Sequence, residues 1–171
     1  MQLNSKKMSK NLNLLSLDEV LLQVAAFEGF RSRPYRCPSG VLTIGYGHTH
    51  FVTTSDCITK KQAFELLRSD FLLCQSFLLK KFDLKDCMNT NQIHALTDFV
   101  FNLGIGTLLR SSAAPSLKDY HLAPRETLFN YDQAIISCML KYNKYRKNGK
   151  LVVSPGLQKR RQWEVSLFLS S

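Results

Sequence analysis

Three side chains able to do chemistry stand close together: the Glu28 carboxylate, the Cys37 thiol nine positions on, and the Thr43 hydroxyl six beyond that. A carboxylic acid can give a proton to a leaving oxygen and take one back. A thiol attacks only as its thiolate, and at an ordinary pKa of about 8.5 only a small fraction is ionised at neutral pH. A hydroxyl can hold and aim a water. The segment that follows, Thr43-Ile44-Gly45-Tyr46-Gly47-His48, mixes glycines with aromatics and so lets another chain approach closely. Taken singly, each residue has a plainer use. A glutamate at a helix end is commonly a solvated charge, a cysteine a small buried hydrophobe, a threonine a strand former.

Elements able to position these groups are legible around them. Ser16-Leu17-Asp18-Glu19 is a capping box, and Leu17, Val20, Leu21, Val24 and Phe27 follow at helical spacing. This predicts a helix that ends near Glu28, with Gly29 free to close it. Residues 30–56, punctuated by Pro34, Pro38, Gly40, Gly45 and Gly47, predict a small twisted antiparallel sheet. A second box, Thr59-Lys60-Lys61-Gln62, opens a helix to about Lys80, with Ala63, Leu66, Leu67, Phe71, Cys74, Phe77 and Leu78 on its apolar side. Helices are further expected from Asn89 to a stop at Gly104, and around 112–121, 126–143 and 156–169. Strands confined to the N-terminal third indicate an α+β fold. Residues 1–14 are expected to be a poorly ordered tail and 15–171 one domain. Within it, 15–58 form a lobe with the small sheet, 59–81 a connecting helix, and 82–171 a helical lobe.

The stretch from Glu28 to His48 resembles the phage lysozyme family, glycoside hydrolase family 24, in its Glu-Cys-Thr spacing and its flanking E-G-x-R-x-x-x-Y and T-I-G-Y-G-H strings. Phe101-Asn102-Leu103-Gly104-Ile105-Gly106 and Pro155-Gly156-Leu157-Gln158-Lys159-Arg160-Arg161 are similar to two later segments of that family; the region 108–130 matches less clearly. The resemblance implies a lysozyme-like architecture and a muramidase cutting between N-acetylmuramic acid and N-acetylglucosamine. It implies catalytic Glu28, Cys37 and Thr43, substrate contacts from Thr49, Phe101 and Asn102, and support from His48, Arg160 and Arg161. One of the two arginines is expected to pair with Glu28, and the sequence leaves open which. Phe101 is divided between core and cleft wall. Where the family often carries Asp, this chain has Cys37, a variant the family also uses. Two roles stay open: holding a water with Thr43 for direct attack, which is favoured, or attacking covalently as a thiolate. A catalytically impaired peptidoglycan-binding protein of the same fold is the alternative.

Composition narrows the setting. Hydrophobic residues at 44% and charged residues at 21% suit a soluble globular domain. A net charge of +10 predicts attraction to a polyanion, for which bacterial peptidoglycan is the expected partner. The Lys141–Lys150 run, with Tyr142 and Tyr145, is basic and aromatic enough to suggest nucleic acid. No recognised motif accompanies it, so no nucleic acid is expected and the run reads as a solvated helix face and loop. Cys37, Cys57, Cys74, Cys87 and Cys138 are odd in number and form no C-x-x-C pair, which fits reduced thiols and argues against a metal. No metal or cofactor is expected. Asp18, Glu19 and Gln23 break the leucine run near the start. Neither a signal peptide nor membrane insertion is therefore expected. The protein is expected to be monomeric and to accumulate in the cytoplasm, with a separate holin releasing it to the wall.

Overall fold

The computed structural model describes residues 14–37 and 40–170. Of the tail expected over 1–14, only Leu14 falls among them, and it is exposed. Helix α1 (Leu17–Glu28) starts on the anticipated box: Ser16 Oγ accepts from the Glu19 amide at 3.3 Å, and Glu19 Oε2 accepts from the Ser16 amide at 2.8 Å. It buries Val20, Leu21 and Val24 and stops where Gly29 takes φ +72°. The chain then forms an antiparallel pair, β1 (Arg31–Arg36) and β2 (Leu42–Gly45), with Tyr35 opposite Thr43. An isolated bridge between Ile44 and His48 folds the following residues back on β2.

Helix α2 (Lys60–Lys81) has 22 residues and so spans about 33 Å. Gly45 sets how closely the sheet lies on it. A Cβ there would meet Ala63 Cβ at 3.1 Å and Ile58 Cδ1 at 3.2 Å, at a φ of +66°. Ala63, Leu67, Phe71 and Leu78 of α2 are buried as expected, but Phe77, assigned to the same side, is half exposed. Thr59 caps this helix in the same reciprocal way as Ser16 caps α1.

Helix α3 (Thr90–Leu103) is the axis of the core. Nearly every residue from Asn91 to Val100 is buried, polar ones included. Such a helix must be surrounded on all sides. Helices α7 (Pro155–Leu169) and α2 pack against it most extensively, with α4 (Ile105–Leu109) and α1 beside them; α6 (Leu128–Lys141) lies on α7 and α5 (Ala114–Asp119) on α6. Leu21, Phe71, Leu96, Phe99, Leu117, Ile135, Met139 and Phe168 join one buried apolar cluster. Each such side chain contributes on the order of 1.5–3 kcal/mol. Asn91 ties both ends of the described chain to α3: its Oδ1 accepts from the Leu15 amide at 3.0 Å and its Nδ2 donates to Ser170 O at 2.8 Å.

One expectation fails. Strands are not confined to the N-terminal third: β3 (Lys144–Lys147) and β4 (Lys150–Val153) form an antiparallel hairpin where a helix face and loop were expected. Asn148-Gly149 is the reason. Both residues adopt positive φ, +47° and +78°, the combination that lets a two-residue turn match the twist of its strands.

Candidate active site

Glu28 ends α1 at the junction between the first sheet and the helices. Its side chain is 24% exposed. A cavity of about 240 Å³ opens on one side, walled by Glu28, Gly47, Thr49, Asp70, Phe101 and Asn102 among others. A second, of about 490 Å³, shares Glu28 and Asn102 and is walled further by Ser154, Gly156, Lys159 and Arg160. Glu28 therefore stands in the middle of a continuous groove. Gly47 lies beside it at φ +100°, a conformation that favours glycine, and a Cβ there would stand in van der Waals contact with Glu28 Oε2, 3.9 Å away.

The other carboxylate oxygen is held. Arg160 Nη1 donates to Glu28 Oε1 at 2.6 Å. The same guanidinium donates to both oxygens of Asp98, from Nε at 2.9 Å and Nη2 at 2.7 Å. Arg160 is 4% exposed and Asp98 is fully buried, so Asp98 acts as the fixed seat of a bidentate pair. Burial alone would weaken the Arg160 cation, but Asp98 and then Glu28 more than offset this and raise its pKa. Arg160 thus reaches Glu28 as a permanent charge.

Arg161, adjacent in sequence, points elsewhere. Its Nη2 donates to Glu164 Oε1 at 2.6 Å and to Asn102 Oδ1 at 2.9 Å. The arginine left undecided by sequence is settled as Arg160. Arg161 instead fixes the Asn102 amide with its oxygen engaged inward, which leaves the NH₂ group as the donor for the groove. Burial, with the neighbouring Asp98 charge, pushes the Glu164 carboxyl well above its usual range, against the pull of Arg161.

Other expected residues divide. Thr49 and Asn102 line the groove. Phe101 does both things proposed for it: it lines the groove while its ring lies 6.1 Å from that of Phe71. His48 Nδ1 meets Asp70 Oδ2 at 2.8 Å, tying the segment after β2 to α2. Cys37 and Thr43 line neither cavity. They meet at one carbonyl: Val41 O accepts from the Cys37 amide and from Thr43 Oγ1, each at 3.0 Å. Thr43 is only 3% exposed, and Cys37 is half-buried at the end of β1.

A model of the Phage lysozyme family matches residues 25–164, which takes in Glu28, Asn102, Arg160 and Glu164. The chain belongs to the phage lysozyme family. An endolysin of Acyrthosiphon pisum secondary endosymbiont phage 1 is 35% identical over 153 residues, covering 88% of this chain and 95% of that one. A SAR-endolysin of Pseudomonas phage phiKMV is 31% identical over 164 residues, covering 95% and 93%. Among solved structures, the muramidase domain of SpmX from Asticaccaulis excentricus superposes with a TM-score of 0.73 at 28% identity, over 88% of this chain and 95% of that one. This phage lysozyme is accordingly a glycoside hydrolase, a muramidase that lyses peptidoglycan, with the α+β fold of lysozymes.

Asp98 and Glu164, which hold Arg160 and Arg161 behind the groove, are absent from the sequence-based expectations. Both carried a signal. Asp98 interrupts the apolar stripe of α3 four residues before Asn102, and Glu164 follows Arg160 by the same helical interval. Two inward carboxylates, one on the facing helix α3 and one a turn along α7, beside two adjacent arginines are a pattern that buried charges require.

Proposed function

We propose that Glu28 is the general acid of this muramidase, giving its proton from Oε2 to the glycosidic oxygen as the bond to the departing sugar breaks. The observation that carries this is the division of labour between its two oxygens. Oε1 is fixed by Arg160, while Oε2 lies beside Gly47 on the open groove. An acid anchored through one oxygen can present the other to a substrate without a search over rotamers. Thr49, Phe101 and Asn102 would hold the sugar, the aromatic ring offering an apolar face and the Asn102 NH₂ a donor to a hydroxyl or N-acetyl oxygen.

On the opposite side of the scissile bond, Cys37 and Thr43, joined at Val41 O behind the groove wall, would hold the attacking water once the sheet closes on the glycan. What supports this over thiolate attack is the hydrogen bonding of Thr43, whose proton is committed to Val41 O, so that toward a water it can act only as an acceptor. Neutral sulfur is a poor base, so aiming the water is the larger contribution. The lobes 15–58 and 82–171, bridged by 59–81, would close on the glycan as one domain acting as a monomer. The protein would accumulate in the cytoplasm and reach the wall through a separate membrane-permeabilising partner, a holin. Among the described residues, no helix is long and apolar enough to cross a membrane.

Purified peptidoglycan digested by wild type and by Glu28→Gln, with fragments read by mass spectrometry, tests the acid. Reducing N-acetylmuramic ends from wild type alone are expected; turnover by Glu28→Gln would remove Glu28 from the role. The anomer released in the first seconds, read by proton NMR, separates the two Cys37 models. Inversion is expected, and retention would favour the thiolate.

A further inference from the structure

The β3–β4 hairpin has no role in the chemistry above, yet it is the most cationic exposed element of the fold. Its register sets Lys144 opposite Val153, Tyr145 opposite Val152, Arg146 opposite Leu151, and Lys147 opposite Lys150. All eight residues are exposed, so the ribbon buries neither face. A two-stranded ribbon is marginal on its own. Two like charges placed directly across it, Lys147 and Lys150, weaken it further unless an anion lies over both. The fold nevertheless fastens it: Ser154 N donates to Asn143 O at 2.9 Å across its base, and Arg146 Nη1 donates to Gly149 O at 2.9 Å across its turn.

Its charge has no internal partner. Between Asp132 and Glu164 the chain carries no Asp or Glu. Lys141, Lys144, Arg146, Lys147 and Lys150 enter no ion pair among the described residues. The hairpin is also continuous with the groove. β4 runs straight into Ser154, which caps α7 and walls the same cavity as Glu28, together with exposed Lys159.

We infer that this hairpin is an anion-binding exosite that grips the carboxylates of the peptidoglycan strand beyond the bond being cut. The inference rests on the muramidase reading for its partner. A glycan leaving the groove past Ser154 carries peptide stems whose carboxylates recur along it, and a ribbon cationic on both faces can engage them without fixed geometry. The interaction is Coulombic, so it raises the local concentration of enzyme on the wall and leaves the chemical step alone. It weakens as salt shortens the screening length.

The test uses the full chain with Lys144, Lys147 and Lys150 all changed to Gln. Arg146 is spared because it braces the turn. Substrates are teichoic-acid-free peptidoglycan and the same walls with their carboxyls amidated. The triple variant is expected to melt as wild type does. On native walls at low salt it should show a KM raised about tenfold with kcat unchanged. The difference should vanish on amidated walls and at roughly 0.5 M salt. An unchanged KM on native walls overturns the inference. So does an equal loss on amidated walls, or a loss seen only in binding to phosphatidylglycerol vesicles or duplex DNA. Co-sedimentation with walls is measured alongside turnover. If wild type released no reducing ends, the muramidase reading would fall while the exosite was still judged by sedimentation.

Discussion

At the residue scale the site is a problem in placing charge. Glu28, Arg160 and Asp98 form a chain in which only the last is fully buried. Removing the central cation strips buried Asp98 of its bidentate partner, a change that costs about 3–5 kcal/mol in proteins. Arg160→Ala is therefore expected to lose stability on that scale in urea titration, with activity falling as well. Arg160→Lys should regain part of the stability and little of the activity, because one ammonium cannot make a bidentate bond and reach Glu28 too. His94 supplies a second residue-level expectation. It is 5% exposed, its Nδ1 lacks a partner among the described residues, and burial lowers its pKa. Between the lowered value and the ordinary one of about 6.5, the unfolded chain binds a proton that the folded chain refuses. Stability should fall as pH drops below that ordinary value. Melting temperatures across pH 5 to 7.5 test this, and His94→Gln should flatten that part of the profile.

At the element scale, local grammar wrote most of the secondary structure. The boxes at Ser16 and Thr59 are formed as their residue types require, and α1, α2 and α3 begin and end at the expected residues. Strand pairing depends more on single backbone positions. Gly45 carries a positive φ and touches α2 through the space where a side chain would be. Gly45→Ala should therefore cost more than the roughly 1 kcal/mol typical of a strained φ alone, and denaturant unfolding would show it. Gly149→Ala should act locally, since nothing lies within 4 Å of the added carbon. Amide exchange over 144–153 should quicken while global stability barely moves. The hairpin is hard to see in sequence because its lysines and tyrosines also fit a solvated charge run, and the local signal for it is one dipeptide, Asn148-Gly149, at the turn.

At the scale of the whole molecule, net charge of +10 and a polyanionic substrate make binding salt-dependent. Lytic rate on whole walls should fall several-fold from low to high ionic strength, measured as clearing of a wall suspension. An unchanged rate would mean that charge does not deliver the enzyme.

The sequence by itself determined the family and the helical framework, and it marked Glu28, Phe101 and Asn102 as candidates for the groove, because these depend on spacing along the chain and on local capping. It could not decide which arginine meets Glu28, since consecutive helix residues point about 100° apart and only the packing of α7 on α3 chooses between them. Nor could it reveal that Asp98 seats Arg160, that Arg161 spends itself on Asn102 and Glu164, or that Cys37 and Thr43 join at Val41 O. The site's ion pairs bring together groups far apart in sequence, 62 residues for Asp98 and Arg160 and 132 for Glu28 and Arg160. Nothing local encodes such pairs; burial requires each charge to have a partner, and the fold decides which one.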